Sequence, residues 1–342
     1  MPRVDLVENS FSDYRHTSFY LSSGPADGPI VVFLHGWPEL SLSWRHQLPF
    51  FAELGFHAIA PDMRGYGRST IHRENEDYRL EETVQDMLAL LDHLGAQQAL
   101  WIGHDWGCPV AWSIASHHPD RCYGVANLCV PYGLERGLDY VINFVDRNVY
   151  PEDQFPAGQW EYMRYYEENF PTATSTMDAN PHNMLQAIFQ KGSPDGYGQP
   201  SGTAYVRQQG WFGGLSEAPA VPRDNDVISE DELAIYVEHV TRNGFFGPNS
   251  WYMNHKANEA YSEKALNERR ITMPVLFLAA RYDYTCESVT SRLAEPMRDL
   301  CSNLTEEIID SGHWMAQEKP FQVNRAMARW LVNSLPELLK DQ

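Results

Sequence analysis

Apolar positions along the chain fall into two alternating patterns. Short apolar runs bounded by turn residues stand at 30–34 (IVVFL), 57–60 (HAIA), 98–102 (QALWI) and 122–130 (CYGVANLCV). Between them lie helical patterns at about 44–53, 81–94 and 107–117. In 81–94, the residues Val84, Met87, Leu88, Leu91 and Leu94 share one face, and Gly95 marks the C-terminal stop. Strand, helix and strand in this rhythm predict βαβ units and a parallel sheet. From about 132 the rhythm breaks. Residues 132–268 hold aromatic, helix-like segments (WEYMRYYEENF, NMLQAIFQ) and long Gly/Pro/Asn-rich connections such as 191–224, with no core strand. The first scheme resumes with 274–280 (PVLFLAA), 304–309 (LTEEII) and a helix pattern at 321–339. The expected organisation is an α/β core in two parts, 1–131 and 269–342, interrupted by a mainly helical insertion, 132–268.

Composition fits that picture and narrows the partners. A chain of 342 residues, 43% hydrophobic and 13% aromatic, can bury one large core plus a smaller inserted domain. The net charge of −20 repels phosphate backbones and anionic lipid, and no Lys/Arg cluster makes a local exception, so no nucleic-acid partner is expected. The first residues carry no apolar signal region, and the longest apolar runs are strand-sized. A cytoplasmic protein without membrane insertion, monomer or homodimer, is the expectation. Five cysteines (Cys108, Cys122, Cys129, Cys286 and Cys301) show no CxxC spacing and are expected as reduced, mostly buried thiols. The sequon Asn303-Leu304-Thr305 is read as chance.

In an open parallel sheet, chemistry sits beyond the C-terminal ends of the strands. Asp105, in Gly103-His104-Asp105-Trp106-Gly107, follows the strand at 98–102. His35 and Gly36 follow 30–34, Asp283 follows 274–280, and His313 follows 304–309. Nucleophile, acid and histidine in that chain order match the order of the hydrolase triad on a nucleophile elbow. The elbow normally carries serine. A carboxylate there attacks an sp³ carbon and itself becomes the acyl half of an ester, so the substrate is an alkylating agent such as an epoxide or alkyl halide. Gly103 and Gly107 permit the strained turn, and the amides opening the helix at 107 favour an ionised Asp105. Water must then cleave the ester, with His313 as base and Asp283 orienting it. The backbone N–H groups of Trp37 and Trp106 are the expected oxyanion donors.

These residues carry a resemblance. HGWPELSLSWR (35–45), PDMRGYGRS (61–69), GHDWG (103–107), ARYD (280–283) and DSGHW (310–314) resemble the α/β-hydrolase-fold epoxide hydrolases over essentially the whole chain. The resemblance implies an α/β-hydrolase fold, with a mostly parallel sheet flanked by helices and 132–268 as a helical cap. It implies conversion of an epoxide and water to a vicinal diol, with no cofactor and no metal. It also implies two cap tyrosines on the epoxide oxygen. SEDELAIYVEHVTRNGFFGPNSWYMN (229–254) puts one at Tyr252, and the segment 162–169 points to Tyr165, with Tyr162 and Tyr166 as neighbours in register. His35, Pro38, Trp251 and Tyr166 are expected at the substrate pocket, His35 chiefly shaping its loop. Trp160, Phe170, Phe212, Phe245 and Phe246 supply apolar area for it.

Several features have plainer readings. An Asp before a helix is often an N-cap, Asp283 suits a turn, and cap tyrosines also pack. Ser229-Glu230-Asp231-Glu232 is a capping box, and His104 is expected to pack below the elbow. The strand before the insertion ends Cys129-Val130-Pro131 with no carboxylate until Glu135, which favours Asp283 as the triad acid. Two rival functions stand beside the epoxide hydrolase: a haloalkane dehalogenase, which shares the aspartate but needs no phenol, and a ligand-binding module without catalysis. Incubation with a styrene-oxide-like epoxide and with 1-bromobutane separates them. Diol from the epoxide is expected; bromide without diol marks the dehalogenase, and silence with both marks the binding module.

Overall fold

The computed structural model describes residues 6–339. The outermost residues of the two expected core parts, 1–5 and 340–342, lie outside them. Eight strands form one sheet: β1 (Val7–Ser12), β2 (Thr17–Ser23), β3 (Ile30–Leu34), β4 (His57–Pro61), β5 (Ala99–His104), β6 (Cys122–Leu128), β7 (Val275–Ala280) and β8 (Leu304–Ile309). Their spatial order is β1-β2-β4-β3-β5-β6-β7-β8. β1 and β2 pair antiparallel, β2 lies antiparallel on β4, and the pairs from β4 through β8 are parallel. The central strands β3, β5 and β7 are buried at every position, as a parallel sheet covered on both faces requires.

Every apolar run of the sequence became a strand, 30–34 and 304–309 with the expected ends and the others shifted by one or two residues. β5 extends to His104, and β6 stops at Leu128 because Cys129 adopts a φ of 71° that ends the extended run. β1 and β2 had no counterpart in the sequence pattern. β1 is an edge strand, exposed at four of its six positions and half-buried at the other two, and β2 buries Ser18, Ser22 and Ser23 beside Phe19, Tyr20 and Leu21. Neither presents the apolar run that marks the central strands. The pattern at 44–53 resolves into a short turn at Ser41–Trp44 and a helix at Leu48–Glu53. The amphipathic helix spans Leu80–His93 and buries Val84, Met87, Leu90 and Leu91, with Leu88 and Leu94 only half-buried. The C-terminal pattern divides into Pro320–Ser334 and a turn at Pro336–Leu339. All five cysteines are buried free thiols.

Between β6 and β7 the described residues form helices and loops and no strand, the longest helices being Glu161–Asp178, Pro181–Ile188, Glu230–Asn243 and His255–Ser262. The first of these kinks at Asn169, two residues before Pro171. Glu230–Asn243 opens with a reciprocal cap in which Ser229 Oγ accepts from the Glu232 amide and Glu232 accepts from the Ser229 amide. The insertion lies over the C-terminal strand ends: Trp37 Nε1 donates to Asn249 Oδ1 at 3.0 Å and Trp251 Nε1 to the Arg64 carbonyl at 3.1 Å. Among the described residues no helix is long and apolar enough to cross a membrane.

Strand register places the chemistry. Leu34 pairs with Gly103, Gly103 with Asn127, Asn127 with Phe277, and Ala280 with Ile309, so the loops after β3, β5, β7 and β8 emerge side by side. The helix Gly107–His117 starts hard against β3: a Cβ on Gly107 would run into the Leu34 carbonyl. Gly107→Ala is therefore expected to lower the unfolding free energy by about 1–3 kcal/mol, read from urea unfolding. No measurable loss would show that the strand–helix contact relaxes.

Candidate active site

Asp105 sits where β5 turns into the helix Gly107–His117, at a φ of 48°. This left-handed conformation is strained for a residue with a side chain and persists only where surrounding structure fixes it. Three glycines make room. A Cβ on Gly103 would strike Asn127 Oδ1 and the Gly107 carbonyl, one on Gly107 the Leu34 carbonyl, and one on Gly36 the Asp105 carboxylate itself. The Asp105 carbonyl accepts from the Cys108 amide at 2.9 Å, so the main chain rejoins the helix at once. The side chain is thereby turned out toward the loop after β3, where the Trp37 amide donates to Asp105 Oδ1 at 2.7 Å.

Asp105 Oδ2 faces His313 Nε2 at 3.5 Å. On the other side of the ring, His313 Nδ1 meets Asp283 Oδ2 at 2.6 Å, while Asp283 Oδ1 accepts the amides of Thr285 and Cys286 at 3.1 and 3.0 Å. Burial raises the Asp283 carboxyl, but the His313 charge, its hydrogen bond and the Cys286 amide outweigh it and hold the group below its usual range. Burial likewise opposes the charge on His313. The Asp283 charge and the hydrogen bonds to Asp105 and Asp283 overcome it and raise the imidazole well above its ordinary value.

A second carboxylate–histidine pair lies underneath. His104 Nδ1 is 2.7 Å from Glu39 Oε2, and its Nε2 is 2.7 Å from the His313 carbonyl. Each ring nitrogen of His104 thus faces an oxygen acceptor. Burial raises the Glu39 carboxyl, yet the His104 charge and hydrogen bond bring it down to about 2. Glu39 also accepts from the Gly36 amide and from Gln317 Nε2. His104 therefore packs below the elbow and is tied to the backbone of His313. Neither Glu39 nor Gln317 stood out in the sequence, since each is a single polar residue without spacing to mark it.

Above the carboxylate lies a cavity of about 500 Å³ whose lining includes Trp37, Asp105, Tyr162, Trp211, Tyr252, Asp283, His313 and Trp314. Tyr162 and Tyr252 are 7% and 2% exposed, with ring centroids 5.5 Å apart. Burial, first of all, and the nearby Asp105 charge raise both phenols well above their ordinary value. Tyr165 does not line this cavity; its hydroxyl packs against Gly210. On the helix Glu161–Asp178, Tyr165 and Tyr166 lie three and four residues after Tyr162, on opposite flanks of it, and of the three only Tyr162 lines the cavity. Tyr166 backs Tyr252, stacked at 4.6 Å with its hydroxyl on Met177 Sδ.

A model of the α/β-hydrolase fold matches residues 29–320. The chain is 33% identical to epoxide hydrolase A of Mycobacterium tuberculosis strain H37Rv, over 91% of its own length and 93% of that protein. It is 32% identical to the bifunctional epoxide hydrolase 2 of Sus scrofa, over 92% of its own length but only 53% of that longer protein. The solved structure of epoxide hydrolase A from Mycobacterium thermoresistibile superposes with a TM-score of 0.78 at 29% identity, covering 96% of this chain and 98% of that one. The chain belongs to the epoxide hydrolases of the α/β-hydrolase fold.

In this epoxide hydrolase the expected pocket residues His35, Pro38, Trp251 and Tyr166 are not among those that line the cavity. His35 turns under its loop, with Nδ1 on the Gly36 carbonyl and Nε2 accepting from the Met63 amide. Trp251 points its indole N–H at Arg64, Tyr166 stands behind Tyr252, and Pro38 faces a separate small crevice beside Tyr66 and Pro248. Trp160, Phe170, Phe212, Phe245 and Phe246 do not reach it either. Among the described residues the Trp37 amide binds an Asp105 carboxylate oxygen, and the Trp106 amide does not; the Trp106 ring packs edge-on against Tyr252 at 5.2 Å. Two donor clusters, His104–Cys129–His313 and Asp283–Cys286–His313, surround the triad. Their imidazoles are already hydrogen-bonded, and burial holds both thiols protonated, that of Cys286 pushed up to about 12.

The raised His313 value fixes a pH dependence. A histidine that holds its proton more tightly when folded stabilises the fold fully below its unfolded value of about 6.5. That contribution fades as pH climbs through the folded value. The unfolding free energies of the wild type and H313Q are expected to differ most on the acid side and to converge as pH rises. A gap that widens with rising pH would contradict the charged assignment.

Proposed function

We propose that this enzyme opens epoxides to vicinal diols through an ester formed on Asp105. The reading rests on one arrangement: a carboxylate where the elbow usually carries a hydroxyl, facing two phenols across the same cavity. Asp105 Oδ2 attacks an sp³ ring carbon while its Oδ1 remains on the Trp37 amide. Charge then builds on the epoxide oxygen, which Tyr162 and Tyr252 meet with hydrogen bonds and one of them with its proton. Phenols this buried release a proton only to a stronger base. The alkoxide of an opening epoxide is one. Tyr162, rather than Tyr165, is assigned as the second phenol because it lines the cavity.

The His313 charge gains a role in the same scheme. In the resting site the imidazolium is held between two carboxylates. Ester formation removes the Asp105 charge, so the ring yields its proton to the tyrosinate through cavity solvent and becomes a neutral base. It then takes a proton from water as that water attacks the acyl carbon of Asp105. The developing oxyanion is held by the Trp37 amide, joined by that of Trp106 as the ester carbon becomes tetrahedral. Collapse expels the diol oxygen as an alkoxide, which takes the proton of the hydroxyl newly added to the acyl carbon; this leaves the Asp105 carboxylate, with one oxygen derived from water, beside the His313 imidazolium.

Two sets of variants test this. Asp105→Asn abolishes turnover, because an amide is a poor nucleophile. His313→Gln permits one turnover and leaves an adduct of the epoxide's mass on the peptide containing Asp105; rapid multiple turnover by that variant would place the base elsewhere. Tyr162→Phe and Tyr252→Phe each slow single-turnover alkylation by about 100-fold, whereas Tyr165→Phe stays within about twofold. The reverse order for Tyr162 and Tyr165 would overturn the assignment.

A further inference from the structure

The loop that carries His313 is joined to the helical insertion by one carboxylate oxygen. Glu318 Oε2 accepts from the Gly312 amide at 2.7 Å and from the Gly192 amide at 3.1 Å. Glu318 is 9% exposed and ends a short helix, Met315–Glu318. The two glycines are in direct backbone contact: a Cβ on Gly192 would strike Gly312, and one on Gly312 would strike Gly192. A second tie lies beside the first, where Trp314 Nε1 donates to the Ile188 carbonyl at 2.8 Å. Ile188, Gly192, Gly312, His313 and Trp314 all line the catalytic cavity. The joint between insertion and core is therefore part of the cavity wall, immediately next to the histidine.

We infer that Glu318 is a positioning residue that clamps the insertion loop at Gly192 to the His313 loop at Gly312 and so sets the imidazole for the water step. The inference rests on the two-step mechanism proposed above. A shared charged acceptor fixes two donors relative to each other more tightly than two separate neutral acceptors do, since charge-assisted bonds are shorter and stronger. His313 is held from three directions: Asp283 fixes its ring, His104 its carbonyl, and Glu318 the residue before it. Alkylation uses Asp105 and the phenols and does not depend on the aim of His313 at a water. Hydrolysis of the ester does.

A loss acting through His313 therefore has its own kinetic signature. Glu318→Ala is expected to lower kcat by about tenfold or more and to lower KM with it, leaving kcat/KM within about twofold, while the Asp105 ester accumulates and is seen by intact-protein mass spectrometry. Glu318→Gln keeps an acceptor oxygen for both amides and is expected to recover kcat to within about threefold of wild type. If E318A does not fold, E318D, which withdraws the oxygen by one methylene, carries the same test. A fall in kcat/KM with no accumulated ester, or an E318Q variant no better than E318A, overturns the clamp. H313Q run alongside separates the two readings. An ester in H313Q but not in E318A removes the Glu318 role alone, and an ester in neither removes the mechanism.

Discussion

The site depends on a close approach of two backbone segments. The loop after β3 and the bend after β5 meet with no side chain between them, because Gly36, Gly103 and Gly107 each face an atom that a Cβ would displace. This contact brings the Trp37 amide onto Asp105 Oδ1 and holds a non-glycine residue in the left-handed region. Strain of that kind, of order 1–3 kcal/mol, is sustained by the sheet on one side and the helix Gly107–His117 on the other. Released from either, the carboxylate would swing away from both the amide and the imidazole.

Charge then determines what the carboxylate can do. Asp283, His313 and Asp105 form a negative–positive–negative row, and Glu39 hydrogen-bonded to His104 lies beneath it. Each buried charge has a partner at hydrogen-bond distance, which is the condition for keeping ionised groups out of water. The row is unbalanced by one negative charge in the resting state. In the mechanism proposed above, alkylation of Asp105 removes that charge, so the nucleophilic step itself changes the proton affinity of the base required next.

The helical insertion contributes the groups that the sheet cannot place. It brings Tyr162 from one helix and Tyr252 from a turn far along the chain to within 5.5 Å of each other over Asp105. Trp37 ties to it through Asn249, Trp314 through Ile188, and Glu318 through Gly192. The phenols and the triad are thus parts of one wall built from both halves of the molecule.

Much of this was legible in the sequence. Six of the eight strands, the insertion between β6 and β7, and the positions of Asp105, Asp283 and His313 at strand ends follow from apolar runs, turn residues and motifs, because those signals are local. The antiparallel strands β1 and β2 were not visible, since β1 is mostly exposed and β2 sets only three apolar residues among small polar ones. Tyr162, Tyr165 and Tyr166 are equivalent by composition; only the direction in which the helix Glu161–Asp178 docks separates the one that lines the cavity from the one that faces Gly210. Likewise Glu39, Gln317 and Glu318 acquire meaning through partners distant in sequence. Periodicity and motif fix which elements form and where the strands end, whereas the facing of a side chain across two packed segments depends on rotation and distance, which the tertiary structure alone supplies.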